Sequence, residues 1–355
     1  MTAPVVIMAG GTGGHIFPGL AVAQELVKSG EQVHWIGGSH GLEGTLIPGL
    51  GIPLHLIAVR GLRGKRGIAR FFAPIRLVWS VLQSIYILMR LRPKVCVGFG
   101  GYPAGPGGLA ARILGIPLVI HEQNAIAGLT NRYLAKFANK VLTAFPGVLP
   151  GGECVGNPIR PEIDQVGLQR IKNLYQPTNQ TRILILGGSQ GAHALNQNLP
   201  AKIREIADKY GITITHQTGD AGLESVTEQY AAMNLDATVI AFINPIARAY
   251  QKTDIVVCRA GALTVSELAA AAMPSVLIPF PNAVDDHQTK NGEQLVALGA
   301  AVIIQETELD IFVAKLSDIL RSPANLIQMA QSARNASRPD AAVAVAHRVL
   351  EASHG

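Results

Sequence analysis

Short apolar runs of strand length alternate along this chain with stretches whose apolar residues recur at helical spacing. Residues 5–9 are apolar, 18–29 carry a helical pattern, 32–36 return to strand character, and 68–90 read as a long helix. Apolar segments at 95–98, 109–114 and 118–121 follow. Alternation of this kind predicts a parallel sheet covered by helices. The pattern then restarts. Residues 183–186 lead into Gly187-Gly188-Ser189-Gln190-Gly191 much as 5–9 lead into Gly10-Gly11-Thr12-Gly13-Gly14, 177 positions earlier. The chain therefore reads as α/β, with two similar doubly wound units. The junction is expected near Gly156-Asn157-Pro158-Ile159-Arg160-Pro161, where two prolines interrupt regular structure. In such sheets ligands bind beyond the carboxyl ends of the strands, and two facing units would enclose a cleft lined by the glycine turns.

Composition narrows the class. With 355 residues, 48% of them apolar and only 15% charged, the chain is long enough for two cored domains and unlike a disordered or collagen-like polymer. Its longest uncharged helical run, 77–89, has 13 residues, short of the ~20 needed to span a bilayer. The uncharged stretch 268–284 contains Pro274, Pro279 and Pro281, which a spanning helix would not tolerate. Cys96, Cys154 and Cys258 lie far apart, which suits neither a disulfide framework nor a zinc site, and a reducing cytoplasm is expected. The first residues carry no basic segment, so no secretory signal is expected.

Charge is uneven. Residues 1–160 hold 15 Lys and Arg against 5 Asp and Glu, and the rest of the chain holds 15 against 19. Arg60, Arg63, Lys65, Arg66, Arg70 and Arg76 fall within 17 residues that contain no acid. Aromatic and aliphatic residues follow at once, among them Phe71, Phe72, Ile75 and Trp79. An amphipathic basic element of this sort suits an anionic bilayer surface. Nucleic acid is the competing partner for such a patch, and a core helix with snorkelling arginines is the plain structural alternative.

The chemistry-bearing residues cluster where strands end. Gly10-Gly11-Thr12-Gly13-Gly14-His15 precedes a helix that Pro18 is expected to help start, so backbone N–H groups would face an anion or a hydroxyl. A dinucleotide site is disfavoured. The spacing is not G-x-G-x-x-G, and the second strand ends in Gly37-Gly38-Ser39 with no acid for a ribose. His15, at the helix entrance, is a candidate general base, with a capping or packing histidine as the alternative. His193, in the matching place of the second unit, is read as structural. A second glycine turn, Gly98-Phe99-Gly100-Gly101-Tyr102-Pro103, and the polar run His121-Glu122-Gln123-Asn124 also follow strands. Glu122 is a second candidate base, or half of a buried pair organising its loop.

In the second half, Gly187–Gly191 is again an anion-accepting turn. Arg259-Ala260-Gly261-Ala262 leads into Leu263-Thr264-Val265-Ser266-Glu267, a helix start with Glu267 one turn in, where a carboxylate could accept two ribose hydroxyls. Asp285-Asp286-His287-Gln288 offers groups suited to sugar hydroxyls. The chain has no Asp-x-Asp pair and no G-x-x-x-x-G-K-[ST]. A leaving diphosphate would then be met by helix N-termini and a cation such as Arg160.

Taken together and in order, Gly10 to Pro18, Gly98 to Tyr102, His121 to Asn124, Gly156 to Arg160, Gly187 to Gly191, Gly261 to Glu267 and Asp286-His287-Gln288 closely resemble the MurG family over nearly the whole chain. That family comprises the bacterial UDP-N-acetylglucosamine:lipid I N-acetylglucosaminyltransferases of peptidoglycan synthesis. The resemblance implies a GT-B fold of two Rossmann-like domains, at 1–159 and 160–339, with a C-terminal helix over about 340–355 crossing back onto the first. It implies inverting transfer that needs no metal and no cofactor. The first domain would face the acceptor and the membrane, and the second would bind UDP-GlcNAc.

By the same resemblance, Ser189 and Arg160 would hold the diphosphate and Ile243 the uracil by its backbone. Ala262, Leu263, Thr264, Val265 and Ser266 would form the helix entrance, Glu267 would meet the ribose, and Gln288 the sugar. Thr12, Gly13, Gly14 and Asn124 would reach the donor from the first domain, and His15 takes the position of the family's proposed base. Phe242-Ile243-Asn244-Pro245 departs from the family pattern, which has an acidic residue after the isoleucine. The implied partners are UDP-GlcNAc, undecaprenyl-linked lipid I and the anionic cytoplasmic surface of the bacterial inner membrane, without nucleic acid. Other readings are a GT-B glycolipid synthase, a UDP-GlcNAc 2-epimerase, which would need no lipid, and a nucleotide-sugar sensor, which would release no UDP.

Overall fold

The computed structural model describes residues 3–39, 41–59, 73–173, 180–188 and 191–353. The chain forms two compact units: Met1–Ile159 together with Arg338–Gly355, and Arg160–Ser337.

In the first unit the order is β1 (Val5–Met8), α1 (Gly13–Lys28), β2 (Val33–Gly38), α2 (Glu43–Leu46), β3 (Leu54–Ile57), α3 (Ala73–Leu91) and β4 (Val95–Gly98). Then come α4 (Gly101–Ile113), β5 (Leu118–Glu122), α5 (Leu129–Leu134), β6 (Lys140–Thr143) and β7 (Glu153–Cys154). Among the described residues its strands form one parallel sheet in the order β3-β2-β1-β4-β5-β6-β7. Strands β1, β4 and β5 are buried along their whole length; β1 and β4 read as runs without polar alternation, and β5 is apolar up to Ile120. One core fills each face. Val5, Ile7, Trp35, Val97 and Phe99 pack with α1 on one side, and Val6, Met8, Ile36, Leu88 and Ile120 lie on the other.

The second unit runs α6 (Pro161–Lys172), β8 (Thr181–Leu186), α7 (His193–Tyr210), β9 (Ile212–Gln217), α8 (Leu223–Ala232), β10 (Ala237–Ile240) and α9 (Ile246–Gln251). It continues with β11 (Ile255–Cys258), α10 (Ala262–Ala270), β12 (Ser275–Leu277), α11 (His287–Val296), β13 (Ala301–Ile303), α12 (Phe312–Leu320) and α13 (Pro323–Ala336). Its parallel sheet has the order β10-β9-β8-β11-β12-β13. The last helix, α14 (Ala341–Ala352), returns to the first unit, where Val345, Ala346, Val349 and Ala352 join the core beside α1. Two ion pairs fasten it at the surface, Arg348 on Glu153 at 2.8 Å and Lys140 on Glu351 at 2.6 Å. As exposed pairs they contribute little beside the apolar contact.

Strand order reverses direction at β1/β4 in the first unit and at β8/β11 in the second. These are the topological switch points at which doubly wound sheets bind ligands. Met8 pairs with Gly98 and Leu186 with Cys258, so the two glycine turns of each unit emerge side by side.

Two expected boundaries are corrected. Helix α1 begins at Gly13, ahead of the expected start at Pro18, and Pro18 lies within it. Helix α4 begins at Gly101 and holds both Pro103 and Pro106. Glycines suppressed the helical pattern in the sequence, yet the first turn of a helix needs no intrahelical N–H acceptor and tolerates them. A third boundary moves as well. Strand β5 runs through Glu122, so His121 and Glu122 are buried strand residues and not the start of the loop.

Helices α6 and α10 touch through Gly167, where an added Cβ would lie 1.8 Å from the Ala270 carbonyl oxygen. Backbone cannot yield there as a side chain would. Gly167→Ala is expected to destabilise the second unit by about 1–3 kcal/mol or more, measured as a lowered urea midpoint.

Candidate functional site

At the first switch point the chain approaches itself closely. Gly101 has φ +73°, and a Cβ on it would sit 2.1 Å from the Gly10 carbonyl oxygen. Gly11 has φ +94°. These two glycines let the β1–α1 and β4–α4 turns meet backbone to backbone. Thr12 takes the N-cap position in extended conformation, exposed and making no side-chain cap, so the amides of Gly13 and Gly14 open α1 with no acid in its first turn. His15 follows in that turn, half-buried, with its ring against Gly100.

Beneath the turn lies Glu43, which sequence reasoning missed. Only 1% exposed, it accepts from the Gly38 N–H at 2.8 Å and the Gly11 N–H at 3.1 Å. Added Cβ atoms on Gly10 and Gly41 would both fall within 2.3 Å of its carboxylate. The available signal was a lone acid just after Gly37-Gly38 in a unit nearly free of acids.

The His121–Asn124 segment lies beside His15. The Nδ1 of His15 is 2.9 Å from Gln123 Oε1, and Gln123 Nε2 is 3.1 Å from His121 Nδ1. Gln123 Nε2 also donates to the His121 carbonyl at 3.0 Å, and His121 Nε2 contacts the Gly156 carbonyl at 2.8 Å. His121 and Gln123 are buried, and burial lowers the His121 pKa to about 4. Glu122 is saturated. One of its oxygens accepts from the backbone and side-chain amides of Asn124, the other from Gly128 N–H and Asn131 Nδ2. Of its two readings, the arrangement favours the one in which Glu122 organises the loop and orients Asn124.

In the second unit, the turn after β8 needs its glycines. Gly188 and Gly191 have positive φ, and a Cβ on Gly191 would lie 2.4 Å from the Thr218 carbonyl. Ser189 lies outside the described residues. His193 is exposed at the start of α7. Helix α10 opens at Ala262 after Gly261, with no side-chain cap and no acid in its first turn. Its intrahelical ladder starts with the Val265 amide on the Gly261 carbonyl, so the first-turn amides of Leu263 and Thr264 precede it. Ser266 donates to the Ala262 carbonyl at 3.1 Å.

Arg160, at the N-cap of α6, donates to Glu267 at 2.9 Å. Burial pushes the Glu267 carboxyl up, and the Arg160 guanidinium pulls it back. The structure thus joins two residues that sequence reasoning assigned to diphosphate and ribose separately. Gln288 accepts from the Phe280 N–H at 2.9 Å, and Asn291, buried on the same helix, donates to the Ala260 carbonyl, tying α11 to the entrance of α10. Ile243 is half-buried on the segment between β10 and α9. Among the described residues, no three His, Cys, Asp or Glu side chains converge as a metal site.

Two parallel-sheet α/β units with glycine turns at both switch points have the domain plan of the GT-B fold. The N-terminal domain model of glycosyltransferase family 28 matches residues 5–143, and the C-terminal domain model of that family matches 182–345. Two curated relatives cover practically the whole chain. One from Stutzerimonas stutzeri is 45% identical over 100% of both chains, and one from Alkalilimnicola ehrlichii is 46% identical over 99% of both. Each is named UDP-N-acetylglucosamine–N-acetylmuramyl-(pentapeptide) pyrophosphoryl-undecaprenol N-acetylglucosamine transferase. The crystal structure of Acinetobacter baumannii MurG superposes with a TM-score of 0.85 at 38% identity, covering 99% of this chain and 100% of that one. The chain belongs to glycosyltransferase family 28 and, within it, to the MurG family.

Glu43→Gln sets an amide NH2 against one of the two N–H donors below the first glycine turn. It is expected to cost about 1–3 kcal/mol of stability, read from urea unfolding of the full chain.

Proposed function

We propose that this chain transfers N-acetylglucosamine from UDP-GlcNAc to the C4 hydroxyl of the N-acetylmuramyl sugar of lipid I, giving lipid II. The observation that carries the reading is full-length likeness to relatives named for this transfer. The geometry supports it on both substrates.

The second unit supplies the donor side. The uncapped start of α10, from Ala262 to Ser266, directs its dipole and first-turn amides toward negative charge. Glu267, held by Arg160, would accept ribose hydroxyls, and Arg160 would share in neutralising the diphosphate. Ser189 would add a hydroxyl to the diphosphate, Gln288 would meet the sugar, and the Ile243 backbone the uracil. The first unit supplies the base. His15 takes the C4 hydroxyl proton as the new C–O bond forms on the face of the sugar opposite UDP, which inverts the anomeric carbon. Thr12, Gly13, Gly14 and Asn124 would position the reacting sugars. Charge grows on the departing diphosphate, where loss of one donor would cost about 3 kcal/mol of transition-state stabilisation.

UDP release from UDP-GlcNAc, followed with and without a lipid I analogue in EDTA, tests the reading. Release is expected only with the acceptor and at the same rate in EDTA. Acceptor-independent turnover to an epimerised sugar would replace it with the epimerase reading. His15→Ala is expected to lower kcat by ~10²–10⁴-fold with little change in UDP affinity; a near-wild-type kcat removes His15 as base.

We further propose that the chain works peripherally on the cytoplasmic face of the bacterial inner membrane, docked by α3. No helix among the described residues is long and apolar enough to cross a membrane. On α3, Ile75, Val78, Trp79, Leu82, Tyr86 and Met89 are each more than half exposed, while Ser80, Val81, Ser84 and Leu88 face the unit. The basic residues Arg60 to Arg70 that precede α3 lie outside the described residues. Arg63→Glu with Arg66→Glu, and separately Trp79→Ser, are expected to reduce sedimentation with anionic liposomes. Equal partitioning of wild type to anionic and neutral vesicles would count against docking by charge.

A further inference from the structure

We infer that Gln123 and His121 are positioning residues that hold His15 in one tautomer, with its proton on Nδ1 and its lone pair on Nε2. The proposal rests on the reading of His15 as base, but the tautomer follows from the hydrogen-bond geometry whether or not that reading holds.

Two backbone carbonyls, which can only accept, set the direction of every hydrogen bond in the relay. His121 Nε2 lies 2.8 Å from the Gly156 carbonyl oxygen, so that nitrogen carries a proton. His121 is fully buried and its pKa is lowered to about 4, so at neutral pH the ring holds a single proton and Nδ1 is an acceptor. The group 3.1 Å from Nδ1 must therefore donate, which assigns it as the Gln123 amide nitrogen. The second carbonyl fixes the same orientation independently: the nitrogen also donates to the His121 backbone oxygen at 3.0 Å, where a flipped amide would set oxygen against oxygen. Gln123 Oε1 then faces His15 Nδ1 at 2.9 Å and can only accept. His15 must donate from Nδ1, and in the neutral ring Nε2 keeps its lone pair.

Each link is locked by packing. Asn157 Nδ2 donates to the Gln123 carbonyl, His121 lies against Phe99 with ring centroids 5.6 Å apart, and Asn131 Nδ2 donates to the His121 carbonyl. The Gly156 carbonyl is set by the φ of +89° at that residue, where a Cβ would lie 2.6 Å from Arg338 Cβ.

In the transfer, the C4 hydroxyl proton passes to Nε2 while its oxygen bonds to the anomeric carbon and the bond to the UDP oxygen breaks. The imidazolium so formed keeps its Nδ1–H on Gln123 Oε1 and later gives the Nε2 proton to water. A His15 protonated on Nε2 would present a donor to the hydroxyl and could not take its proton.

The test is long-range ¹H–¹⁵N NMR of the full chain with labelled histidine, His15 being assigned by His15→Gln. Wild type is expected to show a pyridine-type Nε2 and a protonated Nδ1. In Gln123→Leu the ring is expected to become a tautomer mixture. Its kcat should fall roughly 10- to 100-fold, less than the ~10²–10⁴-fold of losing the base outright, with KM for UDP-GlcNAc unchanged. Gln123→Glu keeps an acceptor oxygen on Nδ1–H and is expected to keep the wild-type tautomer, but its second oxygen then faces the His121 carbonyl and Nδ1, so the protein is expected to be less stable than wild type. A wild-type His15 protonated on Nε2 overturns the proposal, whether or not the variants fold. So does a Gln123→Leu protein with wild-type tautomer and kcat. If Nδ1 carries the proton but His15→Ala turns over normally, the relay stands and the assignment of His15 as base fails.

Discussion

Backbone pressed on backbone is the constraint from which the first unit's chemistry follows. The turns after β1 and β4 leave neighbouring strands and meet where only glycine fits, with Gly101 against the Gly10 carbonyl and Gly100 under the His15 ring. That contact costs conformational freedom at several glycines and leaves no room for side chains that would shield the amides of α1. The second unit repeats the solution with Gly191 against Thr218 and an uncapped α10 beside it. In each unit the sheet order places both turns at one switch point, and apolar strands buried on both faces keep them there.

Buried carboxylates then act in two ways. Glu43 and Glu122 are enclosed by N–H donors and serve as internal pins, one beneath the first turn and one inside the loop that carries Asn124. Neither presents an unengaged oxygen to chemistry. Glu267 differs. It has the Arg160 guanidinium as countercharge and stands one turn into a helix that begins with no side-chain cap and no acid in its first turn.

Much of this was legible in the sequence because it is local. Apolar runs of strand length marked β1, β4 and β8 at or within a residue or two of their bounds, and the glycine turns marked the switch points. Helix starts were not legible at α1 and α4, since glycine and proline read as breakers in a window that cannot see the sheet supporting the first turn. The Arg160–Glu267 pair spans 107 positions and the Glu43–Gly11 bond 32, so nothing local announced either. Gln123 stood out only as part of a polar run, and its contact with His15 was not legible for a related reason. An amide shows its direction only when the acceptors on both sides are known, and one of those is a carbonyl 33 residues downstream of it, reached through His121.

That carbonyl has an unusual address. Gly156 sits three residues before the chain departs for the other lobe, and the residue crowding its α-carbon, Arg338, is the first of the returning segment. Departure and re-entry of the polypeptide are thus clasped at the far end of the wire that sets the imidazole's proton. Loosening of that clasp at Arg338 would therefore slacken the acceptor at the end of the wire.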